Sequence, residues 1–403
     1  MKHPSLGVGF RALLPGHTAP REQELFSSWI VRLAAQNHLK LHVFSNMLWP
    51  GAAVWNRDID NSASSELQEA VAARTGVAAD RVWETTLKSY EGIVFERHNP
   101  TGITPWILPL GIYHRTRVRC GIQFCPDCLV EKVPYYKKPW RLAWAIVCPV
   151  HMRPLLDRCP CGAPVNFHRG DLGDREASIA DASLTKCYRC HTDLRTCVGA
   201  SFDLALTSAA LETQQRCLTA VDLGCVTVGT TSIRSTLFFA GLRQLLQILA
   251  TGRLCTLLRN TVSTWRSIDA FTPVFSGRIN AIERLPVENR VVLMASVGEL
   301  LADWPRAFVR CCQTAGLAAS DILKGLDYVP YWLASVVDEC FGSGAYSPTI
   351  AEIGAAIQYM RKRELVVTKT SVSKILGKTD VFRKRRLHHM LDLNPSLLED
   401  DAT

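Results

Sequence analysis

Apolar residues recur at three- and four-residue intervals through most of the chain, the spacing of one face of an α-helix. Over 24–47 the apolar positions are Leu25, Trp29, Ile30, Leu33 and Ala34, then Leu41, Phe44 and Leu48, with a break near Asn37-His38 that predicts two helices. Ser64 and Asp80 are suited to cap helices over 64–74 and 80–90. A stretch punctuated by proline and glycine, from Asn99-Pro100-Thr101-Gly102 to Pro109-Leu110-Gly111, predicts a separator after this lobe. Helical spacing resumes beyond Gly199 and predicts helices over 201–218, 232–250, 253–268, 287–304 and 331–341. Near the C-terminus, Ser347-Pro348 opens a helix running to about Lys362, and a short helix over 371–377 is stopped by Gly377. Thr379 then caps a third helix over 380–390. No repeat of fixed period is present, so a solenoid is not supported. The expectation is a mainly α, multi-domain chain with helix-turn-helix elements and these divisions: an N-terminal helical domain over 1–118, a cysteine-rich region over 119–200, a helical array over 201–345 and a basic C-terminal segment over 346–403.

The periodicity fails where the cysteines pair. Cys125-Pro126-Asp127-Cys128 is followed by Cys148-Pro149-Val150-His151, a C-x2-C and C-x2-H arrangement that can give one zinc ion four tetrahedral ligands. Cys159-Pro160-Cys161 with Cys187-Tyr188-Arg189-Cys190 offers four thiolates for a second ion. A tight turn aims two sulfurs at one point, and the distant pair closes the tetrahedron. Neither set leaves the open position that catalytic zinc requires, so the expectation is a small zinc-ribbon or knuckle region holding two structural Zn2+ per chain. A single CxxC can instead be a redox pair, but that reading needs a strand before it and a helix after it, and tandem sets argue against it. Cys120 and Cys197 flank the block as candidate spare ligands, and Cys217, Cys225, Cys255, Cys311, Cys312 and Cys340 read as small buried hydrophobes.

Composition narrows the class. With 403 residues and 47% hydrophobic content the chain can bury several cores. Fifteen cysteines would suit a secreted disulfide scaffold, but the opening Met1-Lys2-His3-Pro4 lacks an apolar signal core and no apolar run reaches membrane-spanning length. A reducing, cytoplasmic setting follows, with no membrane partner. The net charge of +9 fits an anionic partner. Arg115, Arg117 and Arg119 lead into the cysteine block, Lys132, Lys137, Lys138 and Arg141 lie within it, and Arg383-Lys384-Arg385-Arg386 sits on the last helix. There the short helix, turn and basic helix have the layout of a helix-turn-helix, with Lys378, Thr379, Arg383, Lys384, Arg385 and Arg386 as candidate DNA contacts. Gly377-Lys378-Thr379 is no P-loop, because its leading position holds Val372 rather than glycine.

Several of these segments together resemble the TniQ family of transposition proteins. They are Ser27-Ser28-Trp29-Ile30-Val31-Arg32-Leu33-Ala34, Trp55-Asn56-Arg57-Asp58-Ile59-Asp60, Phe124-Cys125-Pro126-Asp127-Cys128, Trp140-Arg141-Leu142-Ala143-Trp144, Cys148-Pro149-Val150-His151 and Cys159-Pro160-Cys161. They cover about 20–195, while Leu301-Ala302-Asp303-Trp304-Pro305 and the C-terminal helices are similar to longer members such as TnsD. One departure is the short interval between Trp144 and Cys148, which leaves little room for a strand. The resemblance implies a non-catalytic target-selection adaptor that recognises target DNA, or a DNA-bound CRISPR effector, and recruits an AAA+ ATPase regulator of the TniB or TnsC kind and through it the transposase complex. It leaves monomer or homodimer open. One rival is a zinc-containing transcription regulator acting without transposition partners. Another is a metal-dependent nuclease or transposase, which needs three converging carboxylates; Asp58 and Asp60 lie together, no third acid is identifiable, and both are expected to cap or to pair with Arg57.

Overall fold

The computed structural model describes residues 13–100, 102–113, 116–169, 184–199, 202–251, 254–262, 282–326, 328–341 and 348–376. Helix α1 (Phe26–Gln36) buries Trp29, Ile30 and Leu33, as its periodicity predicts, and its other faces as well, since every residue from Phe26 to Ala34 is buried. It has no side-chain N-cap, and chain neighbours far away in sequence satisfy its first amides: Leu25 N donates to Tyr136 O at 2.8 Å and Phe26 N to Thr85 O at 3.0 Å. The helix stops at Asn37, whose Nδ2 donates to Leu33 O and Gly16 O, and His38 turns the chain at φ 54°. Helices α2 (Leu41–Leu48), α3 (Ile59–Ser62), α4 (Ser65–Thr75) and α5 (Ala79–Glu84) follow, with a 3-10 turn over Leu87–Tyr90. Ser64 caps α4, as its sequence position predicts, and Gly76 ends it at φ 71°.

The proline- and glycine-punctuated stretch is core, not separator. Trp106, Leu108 and Leu110 are buried, and the backbone pairs with the Trp140 segment through Leu108 N to Arg141 O (2.9 Å) and Ala143 N to Trp106 O (2.8 Å). Proline and glycine dictate backbone course, and the large apolar side chains between them decide burial. Strands β1 (Ile112–Tyr113) and β2 (Thr116–Arg117) form a short antiparallel ladder. The cysteine-rich region contributes α6 (Pro126–Leu129) and an antiparallel hairpin of β3 (Val147–Cys148) and β4 (Arg153–Pro154). The interval after Trp144 thus does hold a strand, of two residues only.

Helix α7 (Leu204–Leu223) ends at Gly224, and the hairpin β5 (Cys225–Val228) and β6 (Thr231–Arg234) precedes α8 (Ser235–Thr251). The first three residues of the helix expected over 232–250 are therefore strand. Cys225 lies on the exposed edge of that hairpin, so it is not the buried hydrophobe expected; Cys217, Cys311 and Cys312 are buried. Helices α9 (Cys255–Val262), α10 (Val287–Ala302) and α11 (Arg306–Thr314) complete the array. α7 and α10 pack closely enough that a Cβ on Gly298 would lie 2.3 Å from Thr213 Oγ1.

The chain divides into two units, 1–317 and 318–403. The second contains α12 (Ala319–Ile322), α13 (Tyr331–Phe341), α14 (Ile350–Lys362) and α15 (Lys369–Ile375). Thr349 and Thr368 cap the last two, and Ile353, Ala356, Ile357, Met360, Val367 and Val372 form a small core between them. Among the described residues 15 α-helices and three two-stranded sheets make the fold mainly α, and no helix is long and apolar enough to cross a membrane.

Candidate metal centres and their polar frame

Both cysteine sets assemble. Cys125 precedes α6 with Pro126 at its first position, which turns the chain so that Cys125 and Cys128 face one point. Cys148 ends β3, and His151 sits in the hairpin turn, where Met152 adopts φ 52° and its N–H returns to Cys148 O at 2.8 Å. Reciprocal hydrogen bonds between Phe124 and Leu156, both 2.8 Å, clamp the two halves together, and Arg153 pairs with Asp127 at 3.0 Å across them. Tetrahedral zinc with Zn–S of about 2.3 Å and Zn–N of about 2.0–2.1 Å sets ligand edges of about 3.8 Å between sulfurs and about 3.6 Å between sulfur and nitrogen. The structure gives 3.6 Å from Cys128 Sγ to Cys148 Sγ, and 3.5, 3.4 and 3.5 Å from His151 Nδ1 to the sulfurs of Cys125, Cys128 and Cys148. The residues fit the ion.

The second set is built from two turns. Gly162 N returns to Cys159 O at 2.8 Å with Gly162 at φ 79°, and Cys187 N donates to Thr192 O at 2.9 Å while His191 turns at φ 59°. Cys159 Sγ lies 3.5 Å from Cys190 Sγ and Cys161 Sγ 3.7 Å from Cys187 Sγ, again tetrahedral edges. Thr192, whose hydroxyl oxygen is 3.1 Å from Cys190 Sγ, pulls that thiol down to about 6. Cys161 and Cys190 are exposed, whereas the first set exposes only His151. In each set the four donor atoms lie within 4.8 Å of one another, and neither Cys120 nor Cys197 joins them.

A buried polar network ties the N-terminal helices to the Trp140 segment, and sequence reasoning missed its keystone. Asp58 and Asp60 pair not with Arg57 but with Arg141, more than eighty positions on. Arg141 is fully buried, reaches Asp60 at 3.0 Å and also donates to Leu108 O at 3.0 Å. Asp60 accepts from Ser27 N at 2.7 Å and Ser27 Oγ at 2.9 Å, while Ser28 Oγ accepts from Tyr136 N at 2.9 Å. Burial raises the Asp60 carboxyl to about 6 although Arg141 pulls it down. Such engaged carboxylates are not aimed at a metal pair. The only sequence signal for this network is that charged and hydroxyl residues sit inside otherwise apolar segments.

Lys378, Thr379, Arg383, Lys384, Arg385 and Arg386 lie outside the described residues. The described part of that segment is the α14–α15 pair, with Arg361, Lys362, Arg363 and Lys374 exposed on it.

Residues 15–155 match the TniQ family model, a family associated with transposition and DNA. No curated protein matches the chain. The matched stretch contains the first ligand set and the Ser27, Asp58, Asp60 and Arg141 network, and it ends before the second set and every helix from α7 on. Residues 15–155 of the chain thus form a TniQ domain, and the match does not extend to the remainder.

Proposed function

We propose that the protein is a non-catalytic target-selection adaptor in transposition. It recognises target DNA, or a guide complex already on DNA, and recruits an AAA+ ATPase regulator, which brings the transposase. The observation that carries this reading is the family match enclosing a four-donor site with no open coordination position. Two Zn2+, held by Cys125, Cys128, Cys148 and His151 and by Cys159, Cys161, Cys187 and Cys190, would keep short loops in place and supply no chemistry to a substrate. The capped α14–α15 pair, followed in sequence by Lys378, Thr379 and the run Arg383-Lys384-Arg385-Arg386, is the proposed DNA-contacting segment.

The test is a transposition assay in cells supplied with the transposase and ATPase, with and without this chain. Insertion at the preferred target is expected to require the chain, and the Cys128→Ser variant is expected to abolish it. Targeted insertion that proceeds equally without the chain would refute the proposal.

A further inference from the structure

The first ligand set is held from outside the family domain. Gln214, on α7, is buried, and its Oε1 accepts from Ile146 N at 2.7 Å and Val147 N at 3.0 Å while its Nε2 donates to Val147 O at 2.8 Å. Val147 faces Pro154 at a position where the ladder bonds run through its neighbours, Leu155 N donating to Ile146 O at 2.8 Å, so the Val147 N–H and carbonyl point away from β4 and find their partners in a side chain. One glutamine thus acts as the missing third strand beside β3, whose last residue is the ligand Cys148. The other half of the site is braced in the same manner. Arg290 of α10, fully buried, donates to Ala143 O at 2.8 Å and to Gln123 Oε1 at 3.1 Å, and Gln123 Nε2 donates to Trp140 O at 2.9 Å and Ala145 O at 2.8 Å. Gln123 lies two residues before Cys125. Since α7 and α10 pack on each other, both segments that carry ligands refer to one rigid pair of helices.

We propose that Gln214 is a positioning residue for the first metal site: through the backbone of Ile146 and Val147 it sets where Cys148 Sγ stands and so how tightly the site holds its ion. This rests on reading Cys125, Cys128, Cys148 and His151 as metal ligands. Removing the side-chain amide leaves two N–H groups and a carbonyl unpaired in the interior, and the two-residue strand shifts to regain partners. Groups that orient metal ligands without touching the metal typically change affinity about 10- to 100-fold.

The experiment uses the full chain loaded with Zn2+, and in parallel with Co2+, whose absorption distinguishes three sulfurs and a nitrogen from four sulfurs. Gln214→Met keeps the side-chain volume and removes all three hydrogen bonds. Chelator competition is expected to show the first site weakened about 10- to 100-fold with the second unchanged. Parent affinity at the first site, or equal weakening of both sites, would overturn the proposal. Should the variant fail to fold, hydrogen exchange on the unsubstituted, metal-loaded chain decides the matter: the Ile146 and Val147 amides should exchange as slowly as the interior of α10, and loop-like exchange there would overturn it. A parent chain that binds no metal at the first site would refute the ligand reading, whereas bound metal with unchanged affinity in Gln214→Met would refute the role of Gln214 alone.

Discussion

Replacing Arg141 by Met should cost stability in a pH-dependent way that the Asp58, Asp60 and Arg141 geometry dictates. The guanidinium is the only cation paired with Asp58 and Asp60 among the described residues, and both Arg141 and Asp60 are wholly buried. Removing one partner of a buried ion pair costs about 3–5 kcal/mol when the other stays charged. The carboxyl of Asp60 already titrates at about 6 because burial outweighs Arg141. A folded value above the unfolded one of about 3.9 means that its stabilising contribution is whole below about pH 4 and is lost as the pH rises through about 6, a span of about 3 kcal/mol. Without Arg141 the folded value climbs further, and the loss extends towards neutrality. The deficit of Arg141→Met against the parent is therefore expected to be about 3–5 kcal/mol near pH 8 and to shrink by at least about 1 kcal/mol near pH 5.5, where the carboxyls can protonate instead. Urea unfolding followed by tryptophan fluorescence reads it, since Trp106 and Trp144 are buried. The double substitution Asp58→Asn with Asp60→Asn should recover part of the loss in the Arg141→Met background. A deficit below about 1 kcal/mol, or one equal at both pH values, would refute the account.

Metal analysis is expected to return two zinc ions for the parent and one each for Cys128→Ser and Cys161→Ser where these remain folded; a parent with one ion or none contradicts the two-site reading. Met360→Ala opens the six-residue core between α14 and α15 and should cost that pair about 2–5 kcal/mol while leaving zinc content unchanged, read by hydrogen exchange in 348–376. Neutralising Arg383, Lys384, Arg385 and Arg386 to Ala should weaken DNA binding and flatten its salt dependence by about 0.9 log-log unit for each phosphate no longer neutralised; an unchanged slope would mark the run as a solvated tail.

The grouping of the eight residues into two clusters was legible because a chelating site imposes spacing on the chain itself, and the structure brings each group of four donor atoms within 4.8 Å. Helices α10, α13 and α14 were legible because each carries its own apolar face, and Thr349 capping α14 falls beside the Ser347-Pro348 signal. The β5–β6 hairpin was legible in principle. Val226, Val228 and Ile233 are buried and alternate with exposed Cys225, Thr227, Ser232 and Arg234, with Gly229 at φ 60° in the turn, yet the helical run behind it hid the alternation. What could not be read was long-range pairing. Nothing local to Arg141 names Asp58 and Asp60 as its partners, and nothing local to Gln214 says that its amide completes a strand. Such pairings follow from how elements pack, not from the order of residues within them.

The adaptor claim is tested most directly by asking whether this chain carries the ATPase to DNA. The metal-loaded protein, target DNA and the AAA+ regulator should form a complex in which the ATPase footprint appears at the target only when the chain is present, and disappears with Cys128→Ser. A chain that occupies its DNA site with full preference yet never retains the ATPase, or that cleaves the DNA itself, would contradict the account.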